Sequence, residues 1–392
     1  MQAQYTQAET LYKRSQEIFE KTLGPDHPYV ASNRNNLANI YTEQGLYSKA
    51  EPLYRRNLKI REEVLGPYHP KVATSLCNFA RFYYRQGSYS QAEPLYKLSL
   101  KIREEALGHD HPDVALSLNN LALLYAARLN FEKAYRYHKR SLAIDDRIID
   151  QVMGFRTEAE ALMFLSSRFH PLELFLNLVK LHLQDTPSAI GNGLDVWLRR
   201  KGTALETQQR FQEALAYSED PQVYQLFQEL SEVKTRISHM VFSGPGERDI
   251  EVYRSLLTEL EKEKAELESQ LVQLSQAYAS RKKELQADRF KVAAALPEDT
   301  ALIEFARIHD YDFGATGDEP GWLPERYLAF ILHSGDGENV ELIDLGPAEP
   351  IDDAITLFRE AAADKESSES EVIKASSDLY DMVFKPISAG LC

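Results

Sequence analysis

The chain contains one type of strong nucleophile, the cysteine thiol, and it occurs twice, as Cys77 and Cys392. A catalytic cysteine needs a histidine that accepts its proton and, nearby, donors that stabilise an oxyanion. Cys77 is next to Asn78 in a segment with helical apolar spacing, where nothing in the sequence activates it. Cys392 has no following glycine turn or helix start that would lower its pKa. We therefore predict that neither cysteine is catalytic and that this chain is not an enzyme.

Three histidines recur at one fixed interval and raise the question of a metal site. His27, His69 and His111 each follow a Leu-Gly-x-x pattern, precede a proline and lie 42 residues from the next. Neighbouring helices pack about 10 Å apart, whereas zinc–nitrogen bonds are about 2 Å long. One histidine per repeat cannot share a metal at that separation. We predict a structural role in the loop, with no bound metal or cofactor.

Asparagines mark a second recurring position. Asn36, Asn78 and Asn120 are also 42 residues apart. An amide side chain offers both a donor and an acceptor, which suits the backbone of an extended peptide. The same groups could instead join one repeat to the next. Both interpretations, peptide binding and repeat packing, remain open from the sequence.

These residues recur because the chain repeats a two-helix unit. Residues 76–83 and 92–100 carry apolar side chains at helical spacing, which predicts one helix before and one after a short turn. Gly45 and Gly87 fall in that turn, where a tight reversal favours a residue that can take positive φ. A single pair of helices cannot bury its apolar face, so we predict a stacked array over residues 1–147.

The start of the second helix in each repeat has a pattern of its own. Ser48-x-x-Glu51 and Ser90-x-x-Glu93 predict capping boxes, in which the two side chains satisfy two backbone N–H groups. Pro52 follows, and we place it in the first helical turn, where a missing N–H costs little. Both features would fix where the second helix begins.

The charge and the cysteine content limit the classes of function. The net charge is −15, which argues against a general binder of nucleic acid or of anionic membranes. Two cysteines in 392 residues form no disulfide framework and fit a reducing compartment, so we predict a cytoplasmic protein. No apolar run approaches the ~20 residues that cross a bilayer, and the polar N-terminus is not a signal peptide.

Beyond the repeats the character of the sequence changes three times. Residues 148–246 stay helical without the period and are predicted to form a helical linker domain that ends at a Gly-Pro-Gly break. Residues 247–292 predict a long charged helix, spanning 248–290, with leucines seven residues apart. It either packs on its own protein or forms an intermolecular coiled coil. Residues 293–392 predict strands followed by helices, as at the start of an α/β domain. The predicted strands and helices are 301–308, 326–333, 339–345, 351–363 and 369–384.

The repeated pattern LGxxHPxVAxSLxNxAxxYxxxGxYxxAExLYxxxLxIRE resembles the tetratricopeptide repeats of kinesin light chains. The resemblance covers residues 1–147 and implies a helical solenoid whose concave groove binds a peptide or protein partner. In that family the asparagines equivalent to Asn36, Asn78 and Asn120 contact bound peptides. Two arginines on the same face would favour an acidic or carboxylate-bearing partner. The groove residues expected on this basis are Asn35, Asn36, Asn39, Asn78, Arg81, Tyr84, Arg85, Asn119 and Asn120.

A second resemblance spans nearly the whole chain. The order of the segments LDVWLRRKG, ALPEDTALIEFARIHDYDF, RYLAFIL and LYDMVFKPI is similar to that of repeat proteins fused to a CHAT domain, a caspase-like cysteine protease. The histidine and cysteine motifs of that family do not occur, so the resemblance implies that the chain stops before the catalytic half.

The expected fold class is therefore mainly α: a tetratricopeptide solenoid, a helical linker, a long charged helix and a partial α/β, caspase-like domain. The expected function is a protein–protein interaction scaffold that acts as the sensor part of a CHAT-type protease. The alternative is a fragment of an active caspase-like endopeptidase whose catalytic half is missing. Neither hypothesis includes nucleic acid or a membrane as a partner.

Overall fold

The chain divides into two compact units. The computed structural model describes residues 2–153, 169–202, 220–246, 248–275, 278, 288–315, 321–363, 368–388 and 391. One unit comprises Met1–Phe155, Glu229–Leu267 and Phe313–Gly321, and the other comprises Arg156–Gln228, Glu268–Asp312 and Trp322–Cys392. No helix in these described stretches is both long enough and apolar enough to cross a bilayer.

Seven helices form the repeats of the first unit. They are α1 (Gln2–Leu23), α2 (Pro28–Glu43), α3 (Tyr47–Leu65), α4 (Pro70–Arg85), α5 (Tyr89–Leu107), α6 (Pro112–Ala127) and α7 (Phe131–Met153). Each helix contacts the next along the chain, and among these helices the contacts are most extensive within the pairs α2–α3, α4–α5 and α6–α7. The period therefore predicted the helices, the turns and their stacking.

The histidines of the loops cap the first helix of each repeat. The Nδ1 atoms of His27, His69 and His111 accept hydrogen bonds from backbone N–H groups two residues later, at 3.2, 3.1 and 3.1 Å. Each histidine is the N-cap residue, with a proline at the first helical position, where a missing N–H is tolerated. The predicted structural role of these histidines is confirmed.

The predicted capping boxes are wrong. The second helices begin at Tyr47 and Tyr89, their N-caps make no side-chain cap bond, and Ser90 lies inside α5. The reason is the preceding turn, in which the Ser88 N–H donates to the Tyr83 carbonyl at 2.9 Å. That turn closes α4 and leads directly into α5. Pro52 consequently lies beyond the first turn of α3, not within it.

The apolar core lies between the two helices of each repeat and continues to the first helix of the next repeat. Val72, Ala73 and Leu76 of α4 form a buried cluster with Ile102 of α5. Each large apolar side chain in such a cluster contributes about 1.5 to 3 kcal/mol. Tyr54 is also buried, and its ring stacks on that of Phe79 in the next repeat, with centroids 5.6 Å apart. Apolar contacts thus join the repeats as well as the helices within each repeat.

Buried arginines connect the repeats through their loops. Arg103, only 2% exposed, donates to the Asp113 carbonyl at 3.0 Å and to Ser117 Oγ at 2.8 Å. Its other terminal nitrogen donates to Thr74 Oγ1 of the same repeat's first helix at 3.4 Å. Arg61 makes the equivalent contacts one repeat earlier. A guanidinium with several donors can satisfy all three acceptors at once, so one side chain joins two repeats.

Parts of two later helices belong to the first unit. They are α10 (Pro221–Ser243) and α11 (Ile250–Leu274), of which residues 229–267 belong to that unit. Tyr253 of α11 is fully buried against Ala106 and Leu107 at the end of α5. The predicted helix over 248–290 is shorter than expected, because α11 ends at Leu274 and Asp288 caps a separate helix. The start of α11 packs on its own chain, while a coiled coil stays a prediction.

The second unit contains a three-stranded antiparallel sheet. Its strands are β1 (Ala301–Tyr311), β2 (Trp322–His333) and β3 (Val340–Pro347), in the order β1-β2-β3. In the register, Ile303 pairs with Ile331, and Ala329 pairs with Ile343. The predicted strand positions are confirmed. The sheet is an antiparallel meander, and a caspase-like domain is not shown.

Helices cover both faces of this sheet. They are α8 (Phe169–His182), α9 (Pro187–Gly202), α12 (Arg289–Ala295), α13 (Ala348–Ala363), α14 (Glu369–Leu379) and α15 (Lys385–Ser388), with a π-helical turn at Tyr380–Phe384. Ala329 and Ile331 of β2 pack on Ile351 and Ile387 on one face. On the other face Phe330 approaches Gly193 of α9. The two helices predicted near 351–363 and 369–384 are confirmed in position.

Candidate peptide-binding site

The first helices of the three repeats carry one row of accessible side chains each. Successive members lie four, three and four residues apart, which places them on one helix face, and none of them is buried. We call these rows together the accessible stripe. Its members are Ser32, Asn36, Asn39 and Glu43 on α2, Thr74, Asn78, Arg81 and Arg85 on α4, and Leu116, Asn120, Leu123 and Ala127 on α6.

Two of the three recurring asparagines also join the repeats. Asn78 Nδ2 donates to Asn35 Oδ1 of the preceding repeat at 3.1 Å. Asn120 Nδ2 donates to Cys77 Sγ at 3.2 Å. Asn36 is exposed. An asparagine amide can make up to four hydrogen bonds, so this packing role leaves other donor and acceptor positions on Asn78 and Asn120.

The remaining predicted asparagines are Asn35, Asn39 and Asn119. Asn35 is 7% exposed and accepts the bond from the next repeat. Asn39 Oδ1 accepts a 2.7 Å bond from the hydroxyl of Tyr54, whose pKa burial raises. Asn119 is half-buried, and its Oδ1 has no hydrogen-bond donor among the described residues. The structure therefore uses Asn35 and Asn39 to organise the repeats rather than presenting them fully to solvent.

The charged residues of the stripe are concentrated on α4. Arg81 is exposed. Arg85 forms an ion pair with Glu43 of the preceding repeat, at 3.1 Å, which reduces the positive charge that the sequence predicted. Tyr84 lies beside them with its ring centroid 5.5 Å from that of Tyr89. Arg81 is thus the cation of the stripe best placed to meet a carboxylate.

One property of the stripe was not predicted from the sequence. The positions of Arg81 and Arg85 are occupied by Leu123 and Ala127 one repeat later, and Leu116 is 49% exposed. The stripe therefore passes from polar on α2 through cationic on α4 to apolar on α6. Advancing each predicted residue by the period would have found this gradient.

Cys77 is not placed for catalysis. Cys77 is buried, and burial raises the pKa of its thiol, which keeps it in the unreactive protonated form. Cys392 lies outside the described residues. His309 is on β1, and its Nδ1 lies 3.0 Å from a carboxylate oxygen of Glu173; His333 ends β2.

Comparison with known proteins agrees with the repeat architecture. Three segments, residues 1–63, 30–105 and 78–147, match the sequence model of the tetratricopeptide repeat. These three segments are tetratricopeptide repeats. No curated protein matches the chain significantly.

Several solved structures are similar to parts of the chain. BtubC (BKLC) of P. vanneervenii is 23% identical, with 56% of this chain and 78% of that chain covered and a TM-score of 0.37. Two structures of a P. anserina kinesin light chain with nearly identical TPR-like repeats also match. The first is 22% identical over 53% of this chain and 90% of the other, with a TM-score of 0.39. The second is 25% identical over 47% and 90%, with a TM-score of 0.34.

Proposed function

We propose that this chain is a protein–protein interaction scaffold whose accessible stripe binds an extended peptide. Tetratricopeptide repeats suggest such a scaffold, since they commonly bind protein or peptide partners. The observation that carries the proposal is the stripe itself, which continues across α2, α4 and α6 without a buried member. Its amides suit a peptide backbone, and Arg81 suits a carboxylate on the peptide.

Asn36 and Arg81 give the sharpest test of the site. Asn36 makes no hydrogen bond to another described residue, so its removal should affect binding without affecting the fold. The probe is a fluorescently labelled peptide that alternates aspartate with apolar residues, and its anisotropy reports binding. We expect Asn36→Ala to weaken binding about fivefold, the equivalent of about 1 kcal/mol, and Arg81→Gln to weaken it further.

The matched control is Arg56→Gln, which removes an exposed arginine from α3, outside the stripe. It should leave the affinity unchanged, and a peptide with lysine in place of aspartate should bind poorly. Equal loss in Arg81→Gln and in the control Arg56→Gln would mean that net charge, not the stripe, attracts the peptide. Undiminished binding in Asn36→Ala and Arg81→Gln would reject the site.

A more specific role is that of the sensor part of a CHAT-type protease. In that role residues 1–147 would recognise the partner, and residues 293–392 would belong to the protease domain. The support is the order of sequence segments, together with the absence of the histidine and cysteine motifs. A peptidase assay on this chain should show no cysteine-dependent cleavage. Cleavage that is lost in Cys392→Ala would overturn the prediction that this chain is not itself an enzyme.

A further inference from the structure

The turn between α6 and α7 contains a small cavity that the accessible stripe does not use. Its volume is about 170 Å³, which is enough for several water molecules. None of the lining residues belongs to the stripe. They are Glu93, Tyr125, Arg128, Asn130 and Lys133.

Positive charge exceeds negative charge among the residues that line this cavity. The Glu93 carboxylate accepts bonds from Tyr125 at 2.7 Å and from Arg128, and it pairs with Lys97 at 2.7 Å. The Lys133 ammonium lies over the Tyr125 ring, 5.1 Å from its centroid, and has no carboxylate partner among the residues that the structure describes. Two cations, Arg128 and Lys133, therefore line the cavity against one carboxylate, that of Glu93, in a chain whose overall net charge is −15.

The fold of a repeat does not require these cations. The positions of Arg128 and Lys133 are occupied by Gln86 and Gln91 in the preceding repeat. The same tyrosine–glutamate contact forms there, between Tyr83 and Glu51 at 3.0 Å. That repeat stacks without either cation, so stacking as such needs neither charge, although Arg128 also pairs with Glu93.

Further donors converge on the same cavity. Asn130 Oδ1 accepts a bond from the backbone N–H of Lys133 at 3.2 Å, so its amide N–H groups are available as donors. The cavity also adjoins the N-terminus of α7, the positive end of a 23-residue helix. A guanidinium, an ammonium and an amide are thus presented together beside a helix N-terminus.

We propose that this cavity binds an oxyanion, either inorganic phosphate or the phosphoryl group of a phosphate monoester. Arg128 supplies planar paired donors and Lys133 supplies a compact charge, a combination that suits a phosphate dianion. The surplus of positive charge favours a dianion over a single carboxylate. The site is separate from the accessible stripe, so the proposal does not depend on peptide binding.

The test is isothermal titration calorimetry of the full chain at constant ionic strength. Inorganic phosphate and O-phosphoserine serve as two separate probes. The variant Arg128→Gln/Lys133→Gln installs the residues of the preceding repeat, and we expect it to bind phosphate at least about tenfold more weakly. Lys133→Gln alone leaves the Arg128–Glu93 ion pair in place and should still weaken binding. Tighter binding of phosphoserine would identify a phosphorylated side chain as the ligand, and tighter binding of phosphate would identify the free ion.

The matched control is Lys59→Gln/Lys101→Gln, which removes two charges that are 63% and 65% exposed and do not line the cavity. It should leave the affinity within about twofold, because such exposed pairs contribute little. The proposal is wrong if neither probe binds the native chain, if the cavity variants bind as tightly as the native chain, or if the control loses as much affinity.

Discussion

At the scale of single residues, Leu129 occupies a backbone position that two other repeats give to glycine. Its φ is 57°, and the equivalent Gly45 and Gly87 have φ of 68° and 70°. A side chain in this region costs about 1 kcal/mol, and the Leu129 side chain is 75% exposed, so burial offsets little of that cost. We expect Leu129→Gly to raise the free energy of unfolding by about 0.5 to 1 kcal/mol.

Urea denaturation checks this expectation, and Leu129→Ala is its control. Alanine keeps the Cβ atom and therefore the strain, so its midpoint should stay near that of the native chain. If alanine stabilised the protein as much as glycine, the cost would come from the exposed leucine rather than from the backbone.

His138 replaces the buried tyrosine of the other repeats and makes stability depend on pH. It is fully buried, and burial lowers its pKa from 6.5 to about 3. Above pH 6.5 both the folded and the unfolded chains hold this histidine neutral. Between pH 6.5 and 3 only the unfolded chain takes up the proton, so stability falls as the pH falls, by up to about 1.4 kcal/mol per pH unit.

We expect His138→Leu to reduce this slope. Leucine is preferable to tyrosine here, because the partners of the Tyr54 hydroxyl, Asn39 and Thr42, are Leu123 and Ala126 two repeats later. Urea denaturation at several pH values measures the slope. The difference between the two proteins at pH 8 reports packing alone and serves as the internal control. An unchanged slope would show that other groups cause the acid sensitivity.

At the scale of helices, Glu93 connects two neighbouring repeats. In a capping box its side chain would have bonded only to the backbone at the start of its own helix. The Lys97 ammonium, together with Tyr125 and Arg128, holds the pKa of this carboxyl at about 2. Ser90 is exposed and makes no cap bond. We expect Glu93→Gln to cost about 1.5 to 3 kcal/mol and Ser90→Ala to change stability by less than about 0.5 kcal/mol.

Urea midpoints of the two variants measure both effects. A loss of about 1 kcal/mol in Ser90→Ala would instead show that the Ser90 side chain caps the helix, as in the predicted capping box. The stabilising effect of Glu93 should be present above about pH 4.5 and disappear as the pH falls towards 2, since its pKa is lowered in the folded chain.

The same helices show what a sequence can and cannot predict. The period, the prolines after His69 and His111 and the helical spacing are local, so they predicted the helices of the repeats. The capping boxes failed because the Schellman-type turn of α4 starts the next helix before Ser90. The Tyr125–Glu93 contact joins residues 32 apart, and a periodic pattern does not state which periodic positions meet.

At the scale of the whole molecule, a segment distant in sequence belongs to the same unit as the repeats. Residues 229–267 join the repeats in one unit, although the composition there predicted a linker and a separate charged helix. The leucines and the tyrosine of α11 marked an apolar face but could not identify its partner. Ala106 and Leu107 did not predict this contact either. Their equivalents one repeat earlier, Val64 and Leu65, occupy the same positions of the pattern but are not buried.

Tyr253 tests how strongly this segment supports the repeats. It is fully buried against Ala106 and Leu107, its hydroxyl donates to the Met240 carbonyl at 3.4 Å, and burial raises its pKa to about 12. We expect Tyr253→Ala to lower the free energy of unfolding by about 3 to 5 kcal/mol, as for other large-to-small changes in a core. Val252→Ala, one residue earlier on α11 and 52% exposed, should change it by less than about 0.5 kcal/mol.

Hydrogen exchange shows whether the effect of Tyr253→Ala reaches the repeats. The Arg254 guanidinium also donates to the Glu105 carbonyl at 3.2 Å, so two consecutive residues of α11 hold the end of α5. Loss of the tyrosine should therefore increase exchange at the last turn of α5 and in the loop before His111, while α3 and α4 stay protected. If exchange rose only within α10 and α11, the repeats would be stable without them, and residues 1–153 alone should then unfold at the same urea concentration as the full chain.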